Sequence, residues 1–295
     1  MFDLYFVGSQ NLEHDRYMLE KGCKRLFSFA EKPYSKINMY LDNDYKLFID
    51  SGAFSIAHKA IRGKNLTIDD YINFINENKR PDLFASFDVI PLPLTVETAI
   101  NSAEQSLYNY LYMLDRIEQK DKLIPVYHYG EDFKYLEKIL SYNPKYIAFG
   151  GRGGVHTKYL YTCLDKFFDI LKGTNVKVHA FGITVLDLLE QYPFTSADST
   201  SYQKVATMGG IFSEKLNKTI KISTTTLKDP LHFKHLPEDI QNIIRNEIEM
   251  YGYTVEQLEN STNKRIEFNV DYFLRWAEQY EYKPRKKVKK KSLFS

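Results

Sequence analysis

A regular rhythm of apolar runs limits the folds open to this chain. Eight apolar or β-branched runs recur between residues 2 and 199: FDLYFVG (2–8), KRLFSFA (24–30), YKLFID (45–50), DLFASFDVI (82–90), KLIPVYHY (122–129), KYIAFGG (145–151), VKVHAFGI (176–183) and FTSADS (194–199). Short apolar runs bounded by turn residues read as strands buried on both faces. Between most of them lie segments with apolar residues three and four apart, the spacing of an amphipathic helix. TIDDYINFINEN, TVETAINSAEQSLYNYLYMLDRIEQ, EDFKYLEKILS and TKYLYTCLDKFFDILKG are the clearest. Eight strands alternating with helices predict an α/β fold, a TIM-like (β/α)8 barrel over residues 1–205. A doubly wound open sheet is the other arrangement with this alternation. No GxGxxG or GxxxxGK[ST] turn follows the first strand, which counts against a nucleotide-binding open sheet.

Beyond the last run the pattern changes. GGIFSEKLNKTIKIST (209–224) reads as a hairpin, and PEDIQNIIRNEIEMYG, TVEQLEN and NKRIEFNVDYFLRWAEQYE read as three helices. Residues 206–282 are thus expected as a hairpin and helical extension packed on the barrel. The chain of 295 residues, 43% hydrophobic, can fill a core of that size. Its two cysteines, Cys23 and Cys163, stand far apart with no Cys or His partner at ligand spacing, so neither a disulfide framework nor a zinc site is expected. MFDLYFVGSQNLEHD has no basic leader and no stretch is apolar over a membrane's thickness, so the expectation is a cytoplasmic protein with no membrane partner. The last thirteen residues, KPRKKVKKKSLFS, hold seven of the 40 Lys and Arg and none of the 38 acids, which leaves residues 1–282 at a net −5. A basic tail (283–295) on a mildly acidic body suits a polyanion, because each neutralised phosphate releases counterions. Lys283, Arg285, Lys286, Lys287, Lys289, Lys290 and Lys291 are therefore candidate nucleic-acid contacts; a merely solvated end is the plainer reading.

Barrel enzymes assemble their sites from residues at the carboxyl ends of several strands. Here the third run ends in Asp50, the fourth in Asp88, the fifth in His128, the sixth in Gly150 and Gly151, the seventh carries His179, and the eighth carries Asp198. Asp50 and Ser51 in KLFIDSGAFS would serve equally as caps, but three acids at equivalent strand ends converge on one pocket. Gly150 and Gly151 read either as part of that pocket or as a turn needing positive φ. Carboxylates and histidines of this kind hold a divalent cation in metal-dependent barrel hydrolases, though no ligand pair stands on a single strand. The alternative needs no cofactor: one carboxylate attacks an anomeric carbon while a second moves protons.

These motifs carry a resemblance. DSGAFS (50–55) is similar to the DSGGFQ-type motif of the tRNA-guanine transglycosylase superfamily, FDV to its second acidic motif, FGG to its base-contacting glycines, and HAFGIT…SADSTS (179–201) to the segment ending in its nucleophilic aspartate. The resemblance covers roughly residues 45–201. It implies Asp198 as nucleophile at C1′, Asp50 as the proton-transfer residue, and Asp88 at the Watson–Crick edge of a bound purine. His128 would stand where the family usually has Gln, Phe54 and His179 would sandwich the base, and Gly150 and Gly151 would contact its edge through the backbone. The superfamily's tRNA enzymes have a CxCxxC…H zinc site that this chain lacks, so it resembles more closely the compact, zinc-free DNA-modifying branch, some of it phage-encoded. That branch exchanges guanine in DNA for a free 7-deazaguanine base without cofactor; a phage member would act in the host cytoplasm. Exchange in tRNA is the alternative.

Overall fold

The computed structural model describes residues 2–9, 11–31, 34–43, 45–53, 66–151, 156–183 and 185–285. Its strands are β1 (Asp3–Val7), β2 (Lys24–Ser28), β3 (Leu47–Asp50), β4 (Leu83–Ala85), β5 (Leu123–Ile124), β6 (Val126–His128), β7 (Tyr146–Gly150), β8 (Lys177–Phe181) and β9 (Ser196–Ser199). All neighbours pair in parallel, in the order β5-β4-β3-β2-β1-β9-β8-β7-β6. The two ends of that order are halves of one run. Pro125 has no N–H to give the ladder, so it divides the run into β5, which pairs with β4, and β6, which pairs with β7. The sheet therefore closes on itself through eight chain passages, as the rhythm predicts.

Helices alternate with these strands: α1 (Leu12–Glu20), α2 (Tyr34–Leu41), α3 (Ile68–Glu77), α4 (Val96–Arg116), α5 (Phe133–Leu140), α6 (Thr157–Ile170), α7 (Leu186–Gln191) and α8 (Ser201–Thr207). Their starts are written locally. Thr67 with Asp70 and Thr95 with Thr98 form reciprocal caps on α3 and α4, and Asp132 caps α5. Asp132 stands four residues past the carboxyl end of β6, so the chain there enters its helix directly behind the rim.

The barrel interior is packed rather than open. Tyr5, Leu26, Phe48, Ala85, Ile124, Val126, Tyr146 and Ala148 fill it, while Phe6, Phe149, Phe167 and their neighbours bury the outer faces against the helices. Burying a side chain such as Phe48 completely contributes about 1.5–3 kcal/mol.

The extension follows as a hairpin, β10 (Gly210–Ser213) with β11 (Lys218–Lys221), then α9 (Glu238–Met250), α10 (Val255–Asn260) and α11 (Thr262–Gln279). Ile266, Val270, Tyr272 and Phe273 of α11 belong to the same core cluster as the barrel. Asn269 fastens the join: its Nδ2 donates to the Tyr202 carbonyl at 3.0 Å and its Oδ1 accepts from Phe212 N–H at 3.0 Å. One sequence expectation is corrected here. DLFASFDVI does not run as one strand to residue 90; β4 ends at Ala85, and Asp88 stands on the irregular segment beyond it.

Candidate active site

Asp50 ends β3 because the next two residues turn away from the ladder. Gly52 sits at φ +93°, and a Cβ there would come within 2.3 Å of the Ala30 Cβ. The turn brings Gly52 N–H back to Asp50 Oδ2 at 3.0 Å. Burial raises the Asp50 carboxyl most, the charge of Asp88 adds to it, the Gly52 N–H opposes, and Asp198 raises it further, leaving it at about 7. A carboxyl in that range both gives and takes a proton near neutrality. The mutual repulsion also places the three acids that sequence singled out in one electrostatic neighbourhood.

Asp88 is held in a line of four side chains. Ser51 Oγ donates to its Oδ1 at 3.1 Å, and His128 Nε2 lies 2.8 Å from its Oδ2. The other ring nitrogen of His128 lies 2.9 Å from Glu131 Oε1. With a carboxylate at each nitrogen, the ring satisfies both only as an imidazolium. Burial works against that charge, but Glu131 and Asp88 outweigh it and lift His128 to about 10. Glu131 has no counterpart among the sequence candidates. Its signal was the spacing in HYGED (128–132): three residues after a strand-end histidine, across a turn at Gly130 with φ +95°.

The glycines make room for this arrangement. A Cβ on Gly150 would come within 2.5 Å of His128 Cδ2, and one on Gly151 within 2.7 Å of Ile183 Cγ1. Neither has positive φ, so the turn reading is corrected to one of close approach. Gly150 C=O accepts from Tyr129 N–H and Gly151 N–H donates to Phe181 C=O, both at 2.9 Å. Those two groups serve the protein's own backbone rather than the edge of a bound base.

Asp198 comes from β9. Its Oδ1 accepts from Gly182 N–H at 3.1 Å and lies 3.5 Å from His179 Nε2. The sandwich expected of His179 is corrected. The residue is 0% exposed, with Phe181 and Phe48 packed edge-on at ring distances of 4.4 and 4.8 Å, so it offers no open face to a base. It stands inside the barrel beneath the carboxylates. Burial lowers its pKa despite the pull of Asp198.

Phe54, the other half of the sandwich, lies outside the described residues, as do Lys286, Lys287, Lys289, Lys290 and Lys291. Lys283 and Arg285 are described, and they are engaged with the barrel. Lys283 N–H donates to Glu190 C=O at 2.7 Å, with its ammonium 3.8 Å from the Glu190 carboxylate. Arg285 meets Asp165 at 2.5 Å and covers the Tyr161 ring at 4.5 Å. As placed, these two cations tie the tail to α6 and α7 rather than standing free for phosphate. Among the described residues no three His, Cys, Asp or Glu side chains are grouped as a metal ion requires, and no helix is long and apolar enough to cross a membrane. No protein-family model matches this chain, and no curated protein matches it in sequence.

Proposed function

We propose that the protein is a base-exchanging guanine transglycosylase that replaces guanine in DNA with a 7-deazaguanine through a covalent aspartyl-deoxyribosyl intermediate. The observation that carries this reading is the division of labour among the rim carboxyls. Asp50 is pushed up to about 7, while Asp88 is pinned between Ser51 and an imidazolium. Acids at one rim with environments this different support separate roles in proton transfer and base reading.

The target base must leave the stack to reach carboxyls at a barrel rim, so a flipped or single-stranded nucleotide is the substrate. Asp198 attacks C1′; the C1′–N9 bond breaks with its electron pair going to the base, and protonated Asp50 gives the departing guanine its proton. The incoming deazaguanine returns its N9 proton to the Asp50 carboxylate. N9 then attacks C1′ and breaks the ester, freeing Asp198. Two inversions give net retention, and one N-glycosidic bond replaces another, so the exchange is near thermal balance. Asp88 presents acceptors to the N1–H and 2-amino group of the base, and its contacts to Ser51 and His128 fix the orientation of its carboxyl for that task.

The basic tail supports a polyanionic substrate, and the lack of the zinc motif of the tRNA enzymes favours DNA over tRNA. The test is to incubate purified protein with a 7-deazaguanine base and either guanine-containing DNA or tRNA, then weigh the digested nucleosides by mass spectrometry. Deazaguanine in the DNA digest is the expected result. Incorporation only into tRNA redirects the substrate assignment, and incorporation into neither refutes the proposed exchange.

A further inference from the structure

Beneath Asp198 the barrel interior holds a second line of polar groups. Tyr146 of β7 and Ser196 of β9 place their hydroxyl oxygens 2.7 Å apart, Ser196 Oγ lies 2.6 Å from His179 Nδ1, and His179 Nε2 lies 3.5 Å from Asp198 Oδ1. Tyr146 is 9% exposed and the other two are fully buried. His179 Nε2 is itself buried with no hydrogen-bond partner within ordinary reach. A buried polar atom left in that state calls for an explanation.

The two neutral tautomers of His179 differ in what they do to Asp198. A proton on Nδ1 would be donated to Ser196, and the bare lone pair of Nε2 would face the carboxylate. A proton on Nε2 reverses the line: Tyr146 O–H donates to Ser196 Oγ, Ser196 O–H donates to Nδ1, and Nε2–H points at Asp198. Burial raises the Tyr146 pKa, so the phenol keeps the proton this direction requires. Only the second arrangement turns every group toward an acceptor. Catalytic hydrogen bonds that are long in a free enzyme close when substrate arrives.

We propose that His179 is the positioning residue of the nucleophile: Tyr146 and Ser196 fix its Nε2–H tautomer, and Nε2–H joins Gly182 N–H in holding Oδ1 of Asp198, which leaves Oδ2 to attack. The inference rests on the assignment of Asp198 as nucleophile given above. A neutral donor orients the carboxylate without cancelling its charge, as partners behind metal-bound and catalytic histidines fix ring orientation elsewhere.

The test has a substrate-free arm and a kinetic arm. Long-range 15N–1H spectra of the histidine-labelled protein, with His179 assigned by its loss in His179→Gln, report the tautomer directly. Nε2–H is expected in the wild type, and a shift toward Nδ1–H in Ser196→Ala. In base exchange, Ser196→Ala is expected to lower kcat at least tenfold with KM for the free base unchanged. Tyr146→Phe, which keeps the ring, is expected to lower kcat less, and His179→Gln, which retains an N–H donor, to exceed His179→Ala. An Nδ1–H ring in the wild type overturns the proposal whatever the substrate. So does a Ser196→Ala variant, folded by its spectrum, that changes KM and leaves kcat alone. A wild type that exchanges no base refutes the proposed function, and the spectra still decide the orientation of the line.

Discussion

Replacing Asp50 by Asn is expected to stop base exchange and to stabilise the fold at the same time. The carboxyl titrates near 7 in the folded protein and at 3.8 when free, so the folded state resists its ionisation. The sign follows from linkage: between pH 3.8 and 7 the unfolded chain releases a proton that the folded chain retains, and stability falls as pH rises through that window. Above pH 7 the accumulated cost reaches about 4 kcal/mol at 1.36 kcal/mol per pH unit, and about 2–4 kcal/mol once partial solvent access at Asp50 is allowed for. Asn carries no charge and keeps an oxygen for Gly52 N–H. The variant should therefore be more stable than wild type by about 2–4 kcal/mol at pH 8, a gain of about 3–6 °C in Tm for a chain of this size. The gain should shrink below about 1 kcal/mol at pH 4, where the wild-type carboxyl is protonated in both states for much of the time. Urea unfolding of both proteins across pH 4–8 measures it. A variant that is destabilised at pH 8, or whose difference from wild type does not change with pH, would refute the coupling of Asp50 to its neighbours.

His128 gives the opposite sign. Its folded pKa is raised from 6.5 to about 10, so its stabilisation is full below pH 6.5 and is lost as pH rises through 10. Glu131→Gln should cost about 3–5 kcal/mol at neutral pH, as breaking a buried ion pair does, and should flatten that alkaline slope; an unchanged slope in pH-dependent unfolding would remove Glu131 from the line. Asp88→Asn puts a donor where the base presents donors and is expected to weaken guanine recognition by about 1–3 kcal/mol, read as the inhibition constant of free guanine. Deleting residues 286–295 should weaken DNA binding and flatten its dependence on log salt concentration, because five lysines leave and the rim does not change. An equal slope in the deleted protein would make the tail a solvated end.

The barrel was legible because each strand is a short run bounded by turns and most of the longer helices, α1 and α3 to α6, announce their start with a cap. The acids were legible for the same reason: Asp50 and Asp198 interrupt runs that burial otherwise keeps apolar. His179 was misplaced by a rule the sequence contains. Residues two apart on a strand share a face, so Phe181 occupies the rim layer of β8 and His179 the layer beneath it. Counting back from the strand end would have put the histidine under the pocket. Glu131 was missed because it stands in a turn, where no periodicity marks which side chains look inward. The fastening of Lys283 and Arg285 was not readable at all, since Glu190 and Asp165 lie about 90 and 120 residues away along the chain and meet the tail only through the course of α11. Pro125 shows the converse. A break in the ladder could be read from one residue, and the structure places it where the barrel closes.

In the proposed exchange Asp198 forms a bond to the sugar while Asp50 only moves protons. Incubating Asp50→Asn with guanine-containing DNA, denaturing, and mapping the adduct by peptide mass spectrometry separates the two roles. An amide at position 50 leaves the nucleophile intact and impairs the proton steps, so a denaturation-resistant protein–DNA species should build up slowly, with the added deoxyribosyl mass on the peptide containing Asp198. The same treatment of Asp198→Asn should give none. An adduct in Asp198→Asn, or one mapped to Asp50 or Asp88 in the wild type, would rule out Asp198 as the nucleophile.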